Sequence, residues 1–270
     1  STRVPARSDR SLITDHTPTD YAFDRFVTAL DDNHSPSLAF RAGLDFTAWQ
    51  TRLIDQVHTL LGDVPPLTHT NPVLVESQDH GAYVQHKLRY ETSRDVFIPA
   101  WLLVPAEATA DHPAPGLLAL HGHGTGKDQL VVRTEEPNIY RSFGRHYVER
   151  GYVVLAPDAI GFGERSEAFH RYGTRDGCNV NFLRLALLGM NLMALNLQDD
   201  RHALSVLAAR PEVDANRLAC AGLSFGGTRT MYLTALDERV SAAIVSGYLT
   251  SFRAYALDTG NFCGSQFLPG

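Results

Sequence analysis

The chain has 270 residues, 44% of them hydrophobic and 20% charged, which is ordinary globular composition with enough apolar material for a sizeable core. Its 24 basic and 30 acidic side chains leave a formal charge of −6, which excludes a global positive field for nucleic acid. The 13 Phe, 10 Tyr and 2 Trp exclude a solvated, disordered chain.

In chain order, the first clear helix runs from Asp45, a good N-cap, to the residue before Gly62. Phe46, Trp49, Leu53, Val57, Leu60 and Leu61 recur there at helical spacing, and Pro65-Pro66 stops it. Residues 1–71 therefore read as an N-terminal helical extension of a main domain over 72–270. Val73–Val75, Tyr83–Tyr90 and Val96–Val104 predict an antiparallel start to a sheet. After Pro113 the pattern alternates. Leu117–Leu120, Tyr152–Ala156, Arg217–Ala221 and Ala242–Val245 read as strands. Tyr140–Arg150, Asn181–Ala209 (with a break) and Gly226–Leu236 read as helices. This is an α/β class: a mostly parallel sheet with helices on both faces.

The longest apolar stretch, Leu183–Leu197, is interrupted by Arg184, Asn191 and Asn196 and falls short of the ~20 residues that span a bilayer. No membrane association is expected, and the N-terminal residues lack a secretory pattern, so the expected compartment is the cytoplasm. Ser1 in place of Met points to an upstream piece. Cys178, Cys220 and Cys263 are few and far apart in sequence, which argues against a disulfide framework or a zinc cluster.

Chemistry concentrates at Gly222-Leu223-Ser224-Phe225-Gly226-Gly227, between a predicted strand and a predicted helix. A G-x-S-x-G turn in that context is a nucleophile elbow. The tight turn has no room for flanking side chains, so Ser224 projects from it, and the following helix aims its first N–H groups at any anion formed there. The loop His121-Gly122-His123-Gly124 ends an earlier strand and can supply a second oxyanion-hole donor. The expected pair is the backbone N–H of Phe225 and one at His123, while His121 and Gly122 shape the loop. Two rival readings use the same segment. His121-x-His123 with Asp158 resembles half a metal site, but no further His follows a later strand, so no metal is expected. Gly124-Thr125-Gly126-Lys127 resembles a phosphate loop, but His121 and Asp128 stand where Gly and Ser/Thr are required.

Gly151-Tyr152-Val153-Val154-Leu155-Ala156-Pro157-Asp158 with Gly161-Phe162-Gly163-Glu164-Arg165, and Arg210–Arg217 leading into the elbow, resemble serine esterases of the α/β-hydrolase fold. The similarity is greatest to the dienelactone hydrolase and acetyl xylan esterase group, over residues 72–270. The resemblance implies an eight-stranded sheet, a Ser–His–Asp triad and hydrolysis of a small-molecule carboxylic ester without a cofactor. Asp158 and Arg165 become loop-shaping residues, with a salt bridge there, rather than catalysts. In this fold the acid and the base follow the serine, yet none of the 12 histidines lies beyond His202. Asp258 is the acid candidate, weighed against a solvated loop acid. His123 is a substitute base only if its ring reaches Ser224. The resemblance thus predicts that the last strands, with the acid and base, lie beyond Gly270. The alternatives are a fold retained as a binding or scaffold module without a base, and a peptidase.

Overall fold

Seven strands form one sheet in the computed structural model, which describes residues 22–67, 71–93, 95–132, 138–166, 177–251, 253–258 and 263–268. The chain divides into two compact units, Ser1–Arg52 with Ser251–Asn261, and Leu53–Thr250 with Phe262–Gly270.

In the first unit, helix α1 (Ala22–Asp32) places Phe23, Phe26 and Leu30 on one stripe that stays exposed. Helix α2 (Phe46–Leu61), whose residues from Leu53 on are counted in the second unit, starts where the cap residue predicts: the Asp45 carboxylate accepts from the Ala48 N–H at 3.2 Å. Trp49 donates its indole N–H to the Leu38 carbonyl (2.8 Å) and stacks edge-on against Phe40. Arg253 opens a π-helical turn, Arg253–Asp258, and pairs with Asp31 and Asp32 at 2.7 and 2.6 Å. Asp258 ends that turn, and its side chain lies outside the described residues.

The second unit holds the sheet. Strands β1 (Val73–Asp79), β2 (Tyr83–Ser93) and β3 (Val96–Pro105) form the antiparallel part. Strands β4 (Ala114–Leu120), β5 (Val153–Pro157), β6 (Val213–Leu223) and β7 (Val240–Ser246) are mutually parallel. The order is β1-β2-β3-β5-β4-β6-β7. The eight strands that the resemblance implies are thus seven among the described residues. β7 stands at one edge, so Ile244 is exposed instead of buried on both faces.

Period-two alternation splits the core. Leu118 and Leu120 of β4 point into one apolar layer and Leu117 and Ala119 into the other. Helix α3 (Phe143–Val148) covers the second layer. It is shorter than the helix read over 140–150, because Arg141 and Ser142 sit at φ 48° in a turn. Helices α4 (Gly177–Ala186) and α5 (Leu192–Ala208) replace the broken helix read over 181–209, with the Asn191 side chain capping α5 through the Met193 N–H (2.8 Å). α5 and α6 (Phe225–Leu236) supply Met193, Leu197, Leu204, Phe225 and Leu233 to the first layer. The β4–α3–β5 crossover moves one way along the sheet and the connection to β6 returns past β4. Loops leaving the carboxyl ends of β4 and β6 therefore diverge to opposite faces and open a crevice between them.

Candidate active site

Ser224 stands at that crevice, between β6 and α6, at φ 57° and ψ −122°. A non-glycine residue there stores about 1–3 kcal/mol of strain, so its surroundings must hold it. They do. The Ser224 N–H donates to the Ser246 carbonyl at the end of β7 (2.9 Å), and its own carbonyl accepts from the Thr228 N–H (3.0 Å). Its side chain makes no capping hydrogen bond and is half-buried. A Cβ on Gly222 would overlap the Gly226 carbonyl, and one on Gly226 the Leu120 carbonyl. The elbow thus closes against both its own helix and the end of β4.

The 121–124 loop lies against the serine. A Cβ on Gly122 would sit 2.5 Å from the Leu223 carbonyl and 3.0 Å from the Ser224 Cβ, so only glycine lets the loop approach this closely. The Tyr140 hydroxyl donates to the His123 carbonyl at 2.7 Å and fixes the peptide plane. Phe225 begins α6, where backbone N–H groups lack intrahelical acceptors. A cleft of about 310 Å³, lined in part by Tyr140, Phe143, Leu223 and Ser246, opens beside the elbow.

His121 is fully buried. Its Nδ1–H donates to the Gly122 carbonyl (2.8 Å) and its Nε2 accepts from the Ala159 N–H (3.0 Å). Burial, helped by the Arg229 charge, pushes its pKa down to about 3, so the ring is neutral and its 3.8 Å approach to Asp158 is not an ion pair. The unfolded chain takes up this proton near 6.5. The contribution of His121 to stability is therefore complete above that pH and falls as pH drops toward 3, by up to about 1.4 kcal/mol per pH unit. His121→Gln should flatten the pH dependence of urea-unfolding free energy between about pH 4 and 6.5. Equal slopes in the two proteins would refute this.

Asp158 and Arg165 do not pair through their side chains, contrary to the salt bridge expected there. The Asp158 carboxylate accepts from the Lys127 backbone N–H (2.7 Å), the Lys127 ammonium (2.9 Å) and the Glu164 N–H (3.1 Å). Arg165 instead donates to the Asp158 carbonyl (3.0 Å) and the Asp199 carboxylate (2.8 Å). Burial alone would lower the Lys127 pKa, but Asp158 and Glu164 outweigh it and hold the ammonium charged. A Cβ on Gly126 or Gly163 would overlap the Asp158 carboxylate. Gly126 and Lys127 of the phosphate-loop look-alike, with Gly163, therefore enclose a carboxylate of this chain. Lys127, which the sequence offered only as part of a phosphate-loop look-alike, is a structural residue.

The sequence reading also separated three residues that the fold joins. His123 Nε2 lies 3.1 Å from Cys263 Sγ and 3.4 Å from Cys178 Sγ. Both thiols are buried, and the Ser265 hydroxyl lies 2.8 Å from Cys263 Sγ. The hydrogen bond with Cys178, against burial, and then His123 draw the Cys263 thiol down to about 5. The His123 Nε2 is thus engaged by thiols. The expectation that these cysteines were too scattered to cluster is corrected: separations along the chain say nothing of distance once β4, α4 and the 263–268 segment converge.

A mixed sheet in this strand order, with a strained serine between β6 and α6 and a glycine loop closing on it, defines the α/β-hydrolase fold. A profile described as the abhydrolase family (Abhydrolase_7) matches residues 7–269, and the chain belongs to that family. It is 26% identical over 196 residues to YtaP of Bacillus subtilis (strain 168), named as a hydrolase, covering 70% of this chain and 61% of that protein. Among solved structures it is similar to BF1801 of Bacteroides fragilis NCTC 9343, with a TM-score of 0.70 at 21% identity over 81% of this chain and 58% of that one. It is also similar to the acetyl xylan esterase from Paenibacillus sp. R4, with a TM-score of 0.56 at 22% identity over 89% and 70% of the two chains. The chain therefore spans about three fifths of the length of the first two relatives, at 61% and 58%. No helix among the described residues is long and apolar enough to cross a membrane.

Proposed function

We infer that this chain carries the nucleophile and oxyanion hole of a carboxylic-ester hydrolase. Ser224 attacks the ester carbonyl, giving a tetrahedral oxyanion that the N–H groups of Phe225 and His123 receive. Collapse expels the alcohol and leaves an acyl-serine, which water then cleaves. The observation that carries this reading is the strained, half-buried Ser224 wedged between the Gly122 loop and the first turn of α6. An imidazole must take the serine proton. Neither His121, with both ring nitrogens bonded, nor the Nε2 of His123 is assigned that task.

The likeness to an acetyl xylan esterase supports small acyl esters of carbohydrates as the substrate class. The test is labelling of the complete protein by a fluorophosphonate, with the adduct located by peptide mass spectrometry. The expected result is a single adduct on Ser224. No labelling, with the chain folded, would favour the scaffold reading instead.

A further inference from the structure

We propose that His123, Cys178 and Cys263 form a binding site for one zinc(II) ion. Their ligand atoms, Nε2 and two Sγ, all lie within 4.8 Å of one another. A tetrahedral zinc with Zn–N ~2.0–2.1 Å and Zn–S ~2.3 Å sets an N···S edge of about 3.6 Å and an S···S edge of about 3.8 Å. The observed N···S separations of 3.1 and 3.4 Å need only a few tenths of an ångström of opening to admit the ion. Two sulfurs and an imidazole form a soft donor set that suits zinc and disfavours magnesium or calcium.

The ligands are held from outside the cluster. Cys178 stands in the first turn of α4, and the next residue, Asn179, accepts the Gly264 N–H at 2.8 Å, locking the residue after Cys263 to that helix. Thr228 of α6 donates its hydroxyl to the Gln266 side chain at 2.7 Å, tying the same segment down on its other side. The His123 ring is packed edge-on against Phe162, with centroids 5.5 Å apart. The Ser265 hydroxyl, 2.8 Å from Cys263 Sγ, is placed to donate to a thiolate and orient it. On binding, each thiol gives its proton to solvent, and three protein ligands leave a fourth position for water. The ion would clamp the 121–124 loop to α4 and to the 263–268 segment, so its effect on the elbow is through loop position.

The test uses the full chain, reduced and stripped of metal, titrated with zinc(II) in a calorimeter and with cobalt(II) in a spectrophotometer. One ion should bind per chain, and the cobalt form should show thiolate-to-metal charge transfer with tetrahedral d–d bands. Cys178→Ser and Cys263→Ser should each weaken binding at least about 100-fold. Cys220→Ser, at a thiol outside the cluster, should not. Ser224→Ala should bind the ion as the parent does, so failure of the esterase reading leaves this result intact. Circular dichroism checks that each variant is folded, and the parent's cobalt spectrum decides the matter if one is not. No stoichiometric binding, a cobalt spectrum without thiolate bands, or a Cys178–Cys263 disulfide as the cluster's only chemistry would each overturn the proposal.

Discussion

Ser224→Ala is expected to lower kcat for p-nitrophenyl acetate hydrolysis by the complete protein by at least about 10³-fold, with KM changed little. In the proposed mechanism the Ser224 Oγ forms the covalent bond, so its loss removes the acyl-enzyme route altogether. What survives is the oxyanion hole and binding, which by themselves still exceed water. The substitution removes only the half-buried Oγ, which makes no capping bond, so the elbow should stay folded. That separates chemistry from stability: unfolding in urea should be close to the parent while turnover is lost. Unchanged turnover would take Ser224 out of the reaction and reduce the elbow to a turn.

Arg229→Met should destabilise the fold by about 3–5 kcal/mol, read as a fall in urea-unfolding free energy. Arg229 on α6 and Asp200 on α5 are both almost completely enclosed, and Arg229 Nε donates to the Asp200 carboxylate at 2.9 Å while its Nη2 makes the parallel bond. Burial pushes the Asp200 carboxyl above the ordinary carboxylate range, and the Arg229 charge and hydrogen bonds oppose that shift. Taking the arginine away leaves a buried carboxyl stripped of the two guanidinium hydrogen bonds that satisfied it. The double substitution Asp200→Leu with Arg229→Met should recover much of the loss, because it removes the buried charge along with its partner. A single-variant cost below about 1 kcal/mol would show that the pair is not the anchor between α5 and α6. The pair also bears on the site, since α6 carries Phe225 and Arg229 sits over the Phe225 ring at 5.8 Å.

The elements came through clearly where patterning is local. The apolar runs that became β4 and β5 were legible because a strand buried on both faces needs uninterrupted Val, Leu and Ala. α2 was legible at both ends because Asp45 and Gly62 are terminator residues by their own backbone chemistry. Where the reading went astray, the cause was distant in sequence. The 140–150 helix lost its first turn to Arg141 and Ser142, whose left-handed backbone no propensity predicts. β6 begins at Val213 rather than at 217, because an irregularity opposite Pro115 and Gly116 lets the strand pair on both sides of it.

The elbow was readable from the amino acids because its requirement is local: two glycines, a serine and the change from strand to helix occupy six consecutive residues. The partners that the serine, the carboxylate and the imidazole meet were not readable. Asp158 finds Lys127 across 31 residues, Asp200 finds Arg229 across 29, and His123 finds Cys263 across 140. Such pairs are selected by which strand ends and helix faces come to lie side by side, and side-chain chemistry alone is indifferent among a dozen possible partners. Burial then decides what each group becomes: a neutral imidazole at His121, a charged ammonium at Lys127, a thiol drawn toward thiolate at Cys263. Solvent exclusion is a property of the packed chain and has no counterpart in the order of its residues.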